Sequence, residues 1–229
     1  MAKIQKTIVI GGSSEIVAHT LKALTKSHYP LDEVAYVVRN PKKLPKDKSF
    51  QFKEIVFQIQ DSSEICREDI IEYASECDLM IIAQGMLPRE YERNNIQKIT
   101  DVNFTDPAKL LTRVCKSIPQ IAVISSMAGT RGRKTNFEYG AAKAALSTFI
   151  EGIRANTASC IVELKPGPVK TKMTQHLPKE GNLWITPERA GKRLAKAIAH
   201  REEGTIYTGI KFLILDTILK FLPSSKLPE

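Results

Sequence analysis

Residues 7–17 read Thr-Ile-Val-Ile-Gly-Gly-Ser-Ser-Glu-Ile-Val, and this stretch decides the fold. A strand-length run comes first, two glycines follow, and apolar residues then recur at helical spacing as far as Leu24. A glycine turn between a buried strand and a helix lets backbone N–H groups and the helix N-terminus approach a phosphate group. The stretch therefore predicts a strand, a phosphate-binding turn and a helix, although two adjacent glycines also fit a simple turn.

The rest of the chain repeats this alternation of strand and helix. Strand-length apolar runs lie at residues 7–10, 34–38, 55–59, 79–83, 121–125, 160–164 and 205–207. Apolar residues at helical spacing occupy 16–24, 63–77, 102–117, 138–156 and 187–200. Unbroken Val, Ile and Leu runs are typical of parallel strands covered by helices on both faces. The pattern predicts an α/β fold, a Rossmann-type doubly wound sandwich with a seven-stranded parallel sheet.

Length and composition fit a single domain over residues 1–229. The 42% of hydrophobic and 26% of charged residues exclude wholesale disorder and a polytopic membrane protein. The net charge of +9 comes with local basic excesses near loops, which favours a phosphate-bearing small molecule over nucleic acid as partner.

The cysteine and histidine residues give no sign of a metal site. The sequence has no C-x-x-C pair and no i,i+4 histidine pair, so we predict no metal and reduced thiols. Residues 1–6 precede the first strand without a long apolar signal stretch. We therefore expect a cytoplasmic protein.

The end of the second predicted strand selects the cofactor. A Rossmann site has an acidic residue there for the ribose 2′-OH of NAD, or a basic residue for the 2′-phosphate of NADP. This strand runs into Arg39, with no Asp or Glu beside it. We therefore predict NADP(H), with Arg39 as the main phosphate contact and Lys43 or Ser13 assisting.

Tyr139 and Lys143 carry the strongest catalytic signal. Their i,i+4 spacing places the phenol and the ammonium on one helix face, with small residues between them. A neighbouring cation lowers the pKa of a phenol and makes it a better acid-base catalyst at neutral pH. The same spacing also fits a surface pair without a catalytic role.

Further motifs occur in order around this pair: Ala83-Gln84-Gly85, Asp101-Val102-Asn103, Ser126 within residues 124–129, and Lys165-Pro166-Gly167-Pro168-Val169-Lys170-Thr171. Together with the glycine turn and the Tyr-x-x-x-Lys helix, they resemble the short-chain dehydrogenase/reductase superfamily. The resemblance implies an NADP(H)-dependent oxidoreductase that transfers hydride between nicotinamide and a carbonyl or secondary alcohol, and a homo-oligomer.

The resemblance also implies residue roles. Tyr139 would exchange the proton and Lys143 would lower its pKa and hold the nicotinamide ribose. Ser126 would bond the carbonyl oxygen, and Asn103 would position a water in the proton relay. The cofactor-binding positions carried over are Gly11, Ser13, Ser14, Ile16, Arg39, Lys43, Ile59, Gly85, Tyr139, Lys143, Pro166, Gly167, Val169 and Thr171.

Three positions depart from the superfamily pattern. Glu15 and Val17 stand where its turn has glycines, and Gln58 replaces the aspartate that usually meets adenine. We expect the Glu15 carboxylate to point away from the phosphates.

A closer resemblance narrows the substrate. Residues 11–16, 131–140 and 221–228 resemble the decaprenylphosphoryl-keto-ribose reductases. This implies a keto-sugar on a polyprenyl phosphate carrier, a role in the cell envelope, and substrate binding by Arg131, Arg133 and Lys134. The alternative for this basic cluster is a solvated loop.

Two segments near the C-terminus have predicted roles. Residues 173–185 are expected to form a mobile substrate lid, with Gly181 as hinge. Residues 210–222 form an apolar segment that is too short for a bilayer, which needs about 20 residues. Its flanking lysines fit a peripheral contact at the inner face of the membrane, and its apolar surface equally fits a subunit interface.

A different class of function is also consistent with the fold: a catalytically idle Rossmann protein that senses NADP(H) and binds a partner. The complete set of Asn103, Ser126, Tyr139 and Lys143 argues against it, because a sensor needs no proton relay.

Overall fold

The computed structural model describes residues 5–88, 95–133, 135–179 and 181–223. Its strands are β1 (Lys6–Ile10), β2 (Glu33–Val38), β3 (Lys53–Gln58), β4 (Leu79–Ile82), β5 (Gln120–Ile124), β6 (Cys160–Lys165) and β7 (Gly204–Tyr207). They form a seven-stranded parallel sheet in the order β3-β2-β1-β4-β5-β6-β7. The predicted doubly wound α/β architecture is confirmed.

Helices cover both faces of the sheet: α1 (Glu15–Lys26), α2 (Glu68–Ser75), α3 (Ile96–Thr100), α4 (Asp106–Val114), α5 (Phe137–Arg154), α6 (Pro187–Ala199) and α7 (Ile210–Phe221). One core lies between the sheet and α1, α6 and α7, and the other between the sheet and α2, α4 and α5. Along β1, Val9 belongs to the first core and Ile8 and Ile10 to the second. Burial on both faces explains the apolar runs of β1, β2, β4, β5 and β6, whereas the edge strands β3 and β7 are partly exposed.

The strand order reverses at β1, which lies between β2 and β4. The carboxyl ends of β1 and β4 therefore border the crevice where doubly wound folds bind ligands. Gly11 follows β1 with a φ of 86°, and a Cβ atom on it would lie 2.8 Å from the backbone nitrogen of Gln84. Only glycine fits both this conformation and this close approach.

Residues 63–77 are not one helix, as the apolar spacing predicts. A 3₁₀ turn (Ser62–Cys66) comes first, and α2 begins at Glu68 after Arg67 in an extended conformation. Asp61 and Glu64 close the turn through a capping box, in which each side chain accepts from the backbone N–H of the other. This local closure ends the first segment and splits the span into two short pieces.

The predicted helix at 102–117 begins earlier and changes its pitch. After α3, a π-helical turn covers Asp101–Thr105, and α4 begins at Asp106. Pro107 in the first turn of α4 has no N–H to donate, so the regular i→i−4 hydrogen bonds of an α-helix are interrupted there. Asn103 lies within the wider turn.

The C-terminal apolar segment forms α7, which lies with one face on the protein. Phe212, Asp216 and Leu219 are buried on that face. The opposite face is apolar and exposed, with Phe221 as the extreme at 84%: Ile210, Leu213, Ile214, Ile218 and Phe221. Among the helices of the described ranges, none has the length and apolar character needed to cross a membrane.

Candidate active site

A cavity of about 910 Å³ lies at the carboxyl ends of the strands. It is bounded by the glycine turn, by the ends of β2, β4 and β5, by α5, by the loop after β6 and by α7. Every residue predicted to bind the cofactor lines this cavity: Gly11, Ser13, Ser14, Ile16, Arg39, Lys43, Ile59, Gly85, Tyr139, Lys143, Pro166, Gly167, Val169 and Thr171. Positions from most of the chain thus meet in one place.

The glycine turn is held in a shape that suits a pyrophosphate. The backbone N–H groups of Gly11 and Gly12 donate to the Val37 carbonyl oxygen at 3.0 and 3.3 Å, which fixes the turn against β2. Ser14 caps α1, and its hydroxyl accepts from the backbone N–H of Val17. The positive end of the α1 dipole therefore faces the turn, and the residues present fit a dinucleotide.

Glu15, which departs from the superfamily pattern, has a partner on the far side of the cavity. Its Oε2 atom accepts from the backbone N–H of Lys172 at 2.7 Å. Lys172 begins a 3₁₀ turn (Lys172–Thr174) directly after the Pro-Gly loop. The carboxylate is thus bound to backbone while Glu15 still lines the cavity, and its orientation away from the phosphates stays a prediction.

The adenosine end of the cavity is basic. Arg39, Lys43 and Ser13 line it together, and all three are exposed. Asn40 caps the short 3₁₀ turn Pro41–Lys43, because its side chain accepts from the backbone N–H of Lys42 at 3.0 Å. This turn brings Lys43 to the same end of the cavity as Arg39, where the sequence predicts the 2′-phosphate contact.

Ser126 and Tyr139 meet above the end of β5. The Ser126 hydroxyl accepts from the backbone N–H of Ala128 at 3.1 Å and lies beside the Tyr139 phenol. Burial raises the pKa of Tyr139, and the neighbouring Ser126 hydroxyl acts in the opposite direction. The pKa is thus raised, where the sequence predicts a lowered one from Lys143, because the loss of hydration outweighs the effect of Ser126.

Lys143 lies one helical turn after Tyr139 and is 2% exposed. Its Nζ atom is 5.9 Å from the centroid of the Tyr139 ring and donates to the Gln84 carbonyl oxygen at 3.4 Å. Burial lowers the pKa of Lys143 to about 8, while the Glu163 carboxylate acts to raise it. The ammonium thus lies between the Tyr139 phenol and the end of β4.

Asn103 is fully buried and acts on the backbone around the cavity. Its Nδ2 group donates to the carbonyl oxygens of Met86 and Ile99, both at 2.8 Å, and its Oδ1 accepts from the Met86 N–H at 3.1 Å. These bonds hold the Gly85–Met86 segment beside Lys143. The side chain is committed to backbone, and the predicted contact with a relay water stays a prediction.

The predicted substrate-binding cluster is divided by the structure. Arg133 lines the cavity, whereas Arg131 donates to the Leu222 carbonyl oxygen at 3.3 Å, at the end of α7. Lys134 lies outside the described residues. Burial lowers the pKa of Arg133, and no carboxylate of the described ranges acts against that effect. Arg133 is therefore a half-buried cation on which no carboxylate of the described residues acts.

Helix α7 forms a wall of the cavity that sequence reasoning misses. Phe212 and Leu215 line the cavity, and a Cβ atom on Gly167 would lie 2.2 Å from the Phe212 ring, so the Pro-Gly loop needs its glycine there. Asp216 anchors the helix by accepting hydrogen bonds from Thr130 and from Tyr207 at 2.9 Å. No local pattern signals this wall, because it depends on where a distant helix packs.

The predicted lid is fastened at both ends. Val169 and Ile185 form a parallel bridge, in which the Lys170 N–H donates to the Ile185 carbonyl oxygen at 2.9 Å. Met173 and Leu183 lie between these anchors, line the cavity and are largely exposed. Gly181 has a φ of 81° in open space, consistent with the predicted hinge, and mobility of the segment stays a prediction.

Solved structures confirm the fold. A short chain dehydrogenase from Burkholderia cenocepacia in complex with NADP has a TM-score of 0.74, with 18% identity, over 96% of this chain and 94% of that one. A 3-oxoacyl-(acyl-carrier protein) reductase from Brucella melitensis in complex with NAD has a TM-score of 0.69, with 18% identity, over 93% and 99%. The two neighbours carry different dinucleotides, so they do not choose between NADP and NAD for this chain.

Sequence comparisons give the family. An uncharacterized oxidoreductase of Mycobacterium tuberculosis is 30% identical over 110 residues, which is 44% of this chain and 44% of that relative. The chain therefore matches less than half the length of this curated relative. The closer resemblance to decaprenylphosphoryl-keto-ribose reductases goes beyond these matches and stays a prediction. The family model for short chain dehydrogenase matches residues 5–182, most of the chain. The chain belongs to the short chain dehydrogenase family.

Proposed function

We propose that this protein is an NADP(H)-dependent oxidoreductase that interconverts a carbonyl compound and its secondary alcohol. The observation that carries the proposal is that Ser126, Tyr139 and Lys143 line one cavity together with all the predicted cofactor positions. Bound NADPH would supply hydride from the nicotinamide ring to the carbonyl carbon.

The residues around the cavity would bind the carbonyl group, transfer the proton and stabilise the developing charge. Ser126 donates a hydrogen bond to the carbonyl oxygen, and the Tyr139 phenol delivers the proton that this oxygen takes up. The raised pKa of Tyr139 keeps the phenol protonated at neutral pH, which suits proton donation during reduction. Lys143 supplies positive charge beside the developing phenolate, and Asn103 keeps the Gly85–Met86 segment in place.

Oxidation of NADPH in the presence of a panel of ketones and keto-sugars tests this proposal against the idle-sensor alternative. We expect turnover with at least one carbonyl compound and none with NADPH alone. Tight NADPH binding without turnover on any member of the panel would instead support a sensor.

Arg133 favours an anionic substrate. Burial has removed part of the hydration of this guanidinium, and no carboxylate of the described residues acts on it, so a bound phosphate or carboxylate would restore favourable contacts. A keto-sugar on a polyprenyl phosphate carrier, as the closer sequence resemblance implies, has this chemistry. Dihydroxyacetone phosphate and neutral dihydroxyacetone are a simple pair of probes for it.

Arg133→Met should raise KM for the phosphorylated ketone and leave that for the neutral ketone unchanged. A charge-assisted hydrogen bond contributes about 1.5–3 kcal/mol, so the increase should be roughly 10- to 100-fold. Steady-state kinetics measure it, and Arg131→Met, outside the cavity, is the matched control. Equal changes in KM for both ketones would remove Arg133 from anion recognition.

The exposed face of α7 is the surface by which two copies of this chain associate. Its five large apolar side chains exceed what a monomer commonly leaves in water. The lysines of the helix are occupied, because Lys211 donates to the Asn182 carbonyl oxygen at 2.6 Å and Lys220 pairs with Asp216 at 3.0 Å. An apolar face whose cations are engaged elsewhere fits a second copy better than anionic lipid.

Light scattering after size-exclusion chromatography tests this association. We expect a dimer or larger oligomer, and a monomer for the double variant Ile214→Asp/Phe221→Asp with an unchanged circular dichroism spectrum. A monomeric wild-type protein that sediments with vesicles containing anionic phospholipid would contradict the assignment and favour a membrane contact.

A further inference from the structure

Glu163, in the middle of β6, is a carboxylate with 0% exposure that does not line the cavity. A buried carboxylate is costly unless hydrogen bonds and nearby cations compensate for its lost hydration. The catalytic roles given above do not use it. Its presence in a strand that otherwise reads as apolar therefore requires a reason.

The hydrogen bonds of Glu163 connect it to the loop after β5 (residues 125–129), here called the catalytic loop because it carries Ser126. The Ser147 hydroxyl of α5 donates to one carboxylate oxygen, and the Thr205 hydroxyl of β7 donates to the other at 2.8 Å. The Ser147 oxygen also lies 3.0 Å from the hydroxyl oxygen of Ser125, the residue before Ser126. A chain of buried hydroxyls thus runs from the carboxylate to the end of β5.

The charged groups around Glu163 point to Lys143. Ser147 follows Lys143 by one helical turn, so both side chains lie on the same face of α5. Glu163 is the carboxylate that acts on the buried ammonium of Lys143, and Tyr139 is the other titratable group beside that ammonium. The Nη2 atom of Arg154 on α5 lies 3.9 Å from a carboxylate oxygen of Glu163. The Glu163 charge also helps to raise the pKa of Tyr207 on β7.

Resting on the proposed function, we propose that Glu163 is a positioning residue that keeps Lys143 protonated and, through Ser147 and Ser125, holds α5 in register with the catalytic loop. A buried ammonium without an opposite charge tends to lose its proton. Lys143 would then no longer favour the phenolate form of Tyr139. The carboxylate on β6 supplies the opposite charge from behind the helix, without occupying the cavity.

Glu163→Gln separates the charge from the hydrogen bonds, because the amide keeps an oxygen that can accept from a hydroxyl. The midpoint at which Lys143 loses its proton should fall by about one pH unit. Competitive labelling with an amine-reactive reagent, followed by peptide mass spectrometry, measures this midpoint directly. In kinetics, the alkaline fall of kcat should move to lower pH by the same amount, with little change in Kd for NADPH.

Thr205→Val is the matched control, because it removes one hydroxyl donor and keeps the charge; its labelling midpoint should stay at the wild-type value. Glu163→Leu is a second charge-free variant of similar volume, in case the amide does not fold. An unchanged Lys143 midpoint in either charge-free variant would overturn the proposal. The labelling result stands even if no carbonyl substrate is turned over, so it is separable from the proposed function.

Discussion

Replacing Tyr139 by Phe should lower kcat for NADPH-dependent carbonyl reduction by roughly 10²- to 10⁴-fold, the usual worth of a positioned general acid. In the proposed mechanism the phenol is the proton donor, and burial raises its pKa and keeps it protonated at neutral pH. Phenylalanine retains the ring against which Lys143 lies at 5.9 Å but has no proton to give. Spectrophotometric assay of NADPH consumption with a saturating ketone measures the loss.

The binding of NADPH should survive this change. Fluorescence titration should give a Kd for the variant within a few-fold of the wild-type value, because the ring still fills its place. Tyr207→Phe is the matched control, since the Tyr207 phenol bonds Asp216 and does not line the cavity. Substantial residual turnover in Tyr139→Phe, or an equal loss in Tyr207→Phe, would be incompatible with the proposed mechanism.

Arg39→Ala should weaken NADPH binding by about one to two orders of magnitude and NADH binding very little. The guanidinium lies at the adenosine end of the cavity with Lys43 and Ser13, and one charge-assisted hydrogen bond to a phosphate contributes about 1.5–3 kcal/mol. NADH lacks the 2′-phosphate and loses nothing when this bond is absent. Isothermal titration with both dinucleotides measures the two Kd values.

Lys42→Ala serves as the control for this experiment. Lys42 is a neighbouring exposed lysine that does not line the cavity, so its removal should change neither Kd. A loss of affinity of the same size for NADPH and NADH in Arg39→Ala would mean that Arg39 shapes the site without reading the phosphate.

The sheet was predictable because its strands obey a simple rule. The inner strands β1, β2, β4, β5 and β6 are buried on both faces, so they appear in the sequence as apolar runs, whereas the edge strands β3 and β7 are partly exposed. Helix boundaries depend on smaller effects. The capping box of Asp61 and Glu64 and the missing N–H of Pro107 divide two spans that hydrophobic spacing alone reads as continuous helices.

The candidate site was predictable where a residue type is dictated by local geometry. Gly11 is of this kind, because the close backbone approach requires a glycine. The Tyr139–Lys143 pair is too, because residues four apart on a helix share a face. Arg131 and Arg133 could not be told apart in advance. Alternate residues of an irregular loop diverge according to tertiary contacts, and here one reaches α7 while the other lines the cavity.

The proposed association through α7 would give substrate preference and quaternary structure a common origin. Phe212 and Leu215 shape the cavity from one side of the helix, and Ile214 and Ile218 lie on its outer surface. A rotation or shift that repacks one side necessarily moves the other. Substitutions in α7 among paralogues would therefore change substrate preference and oligomeric assembly together.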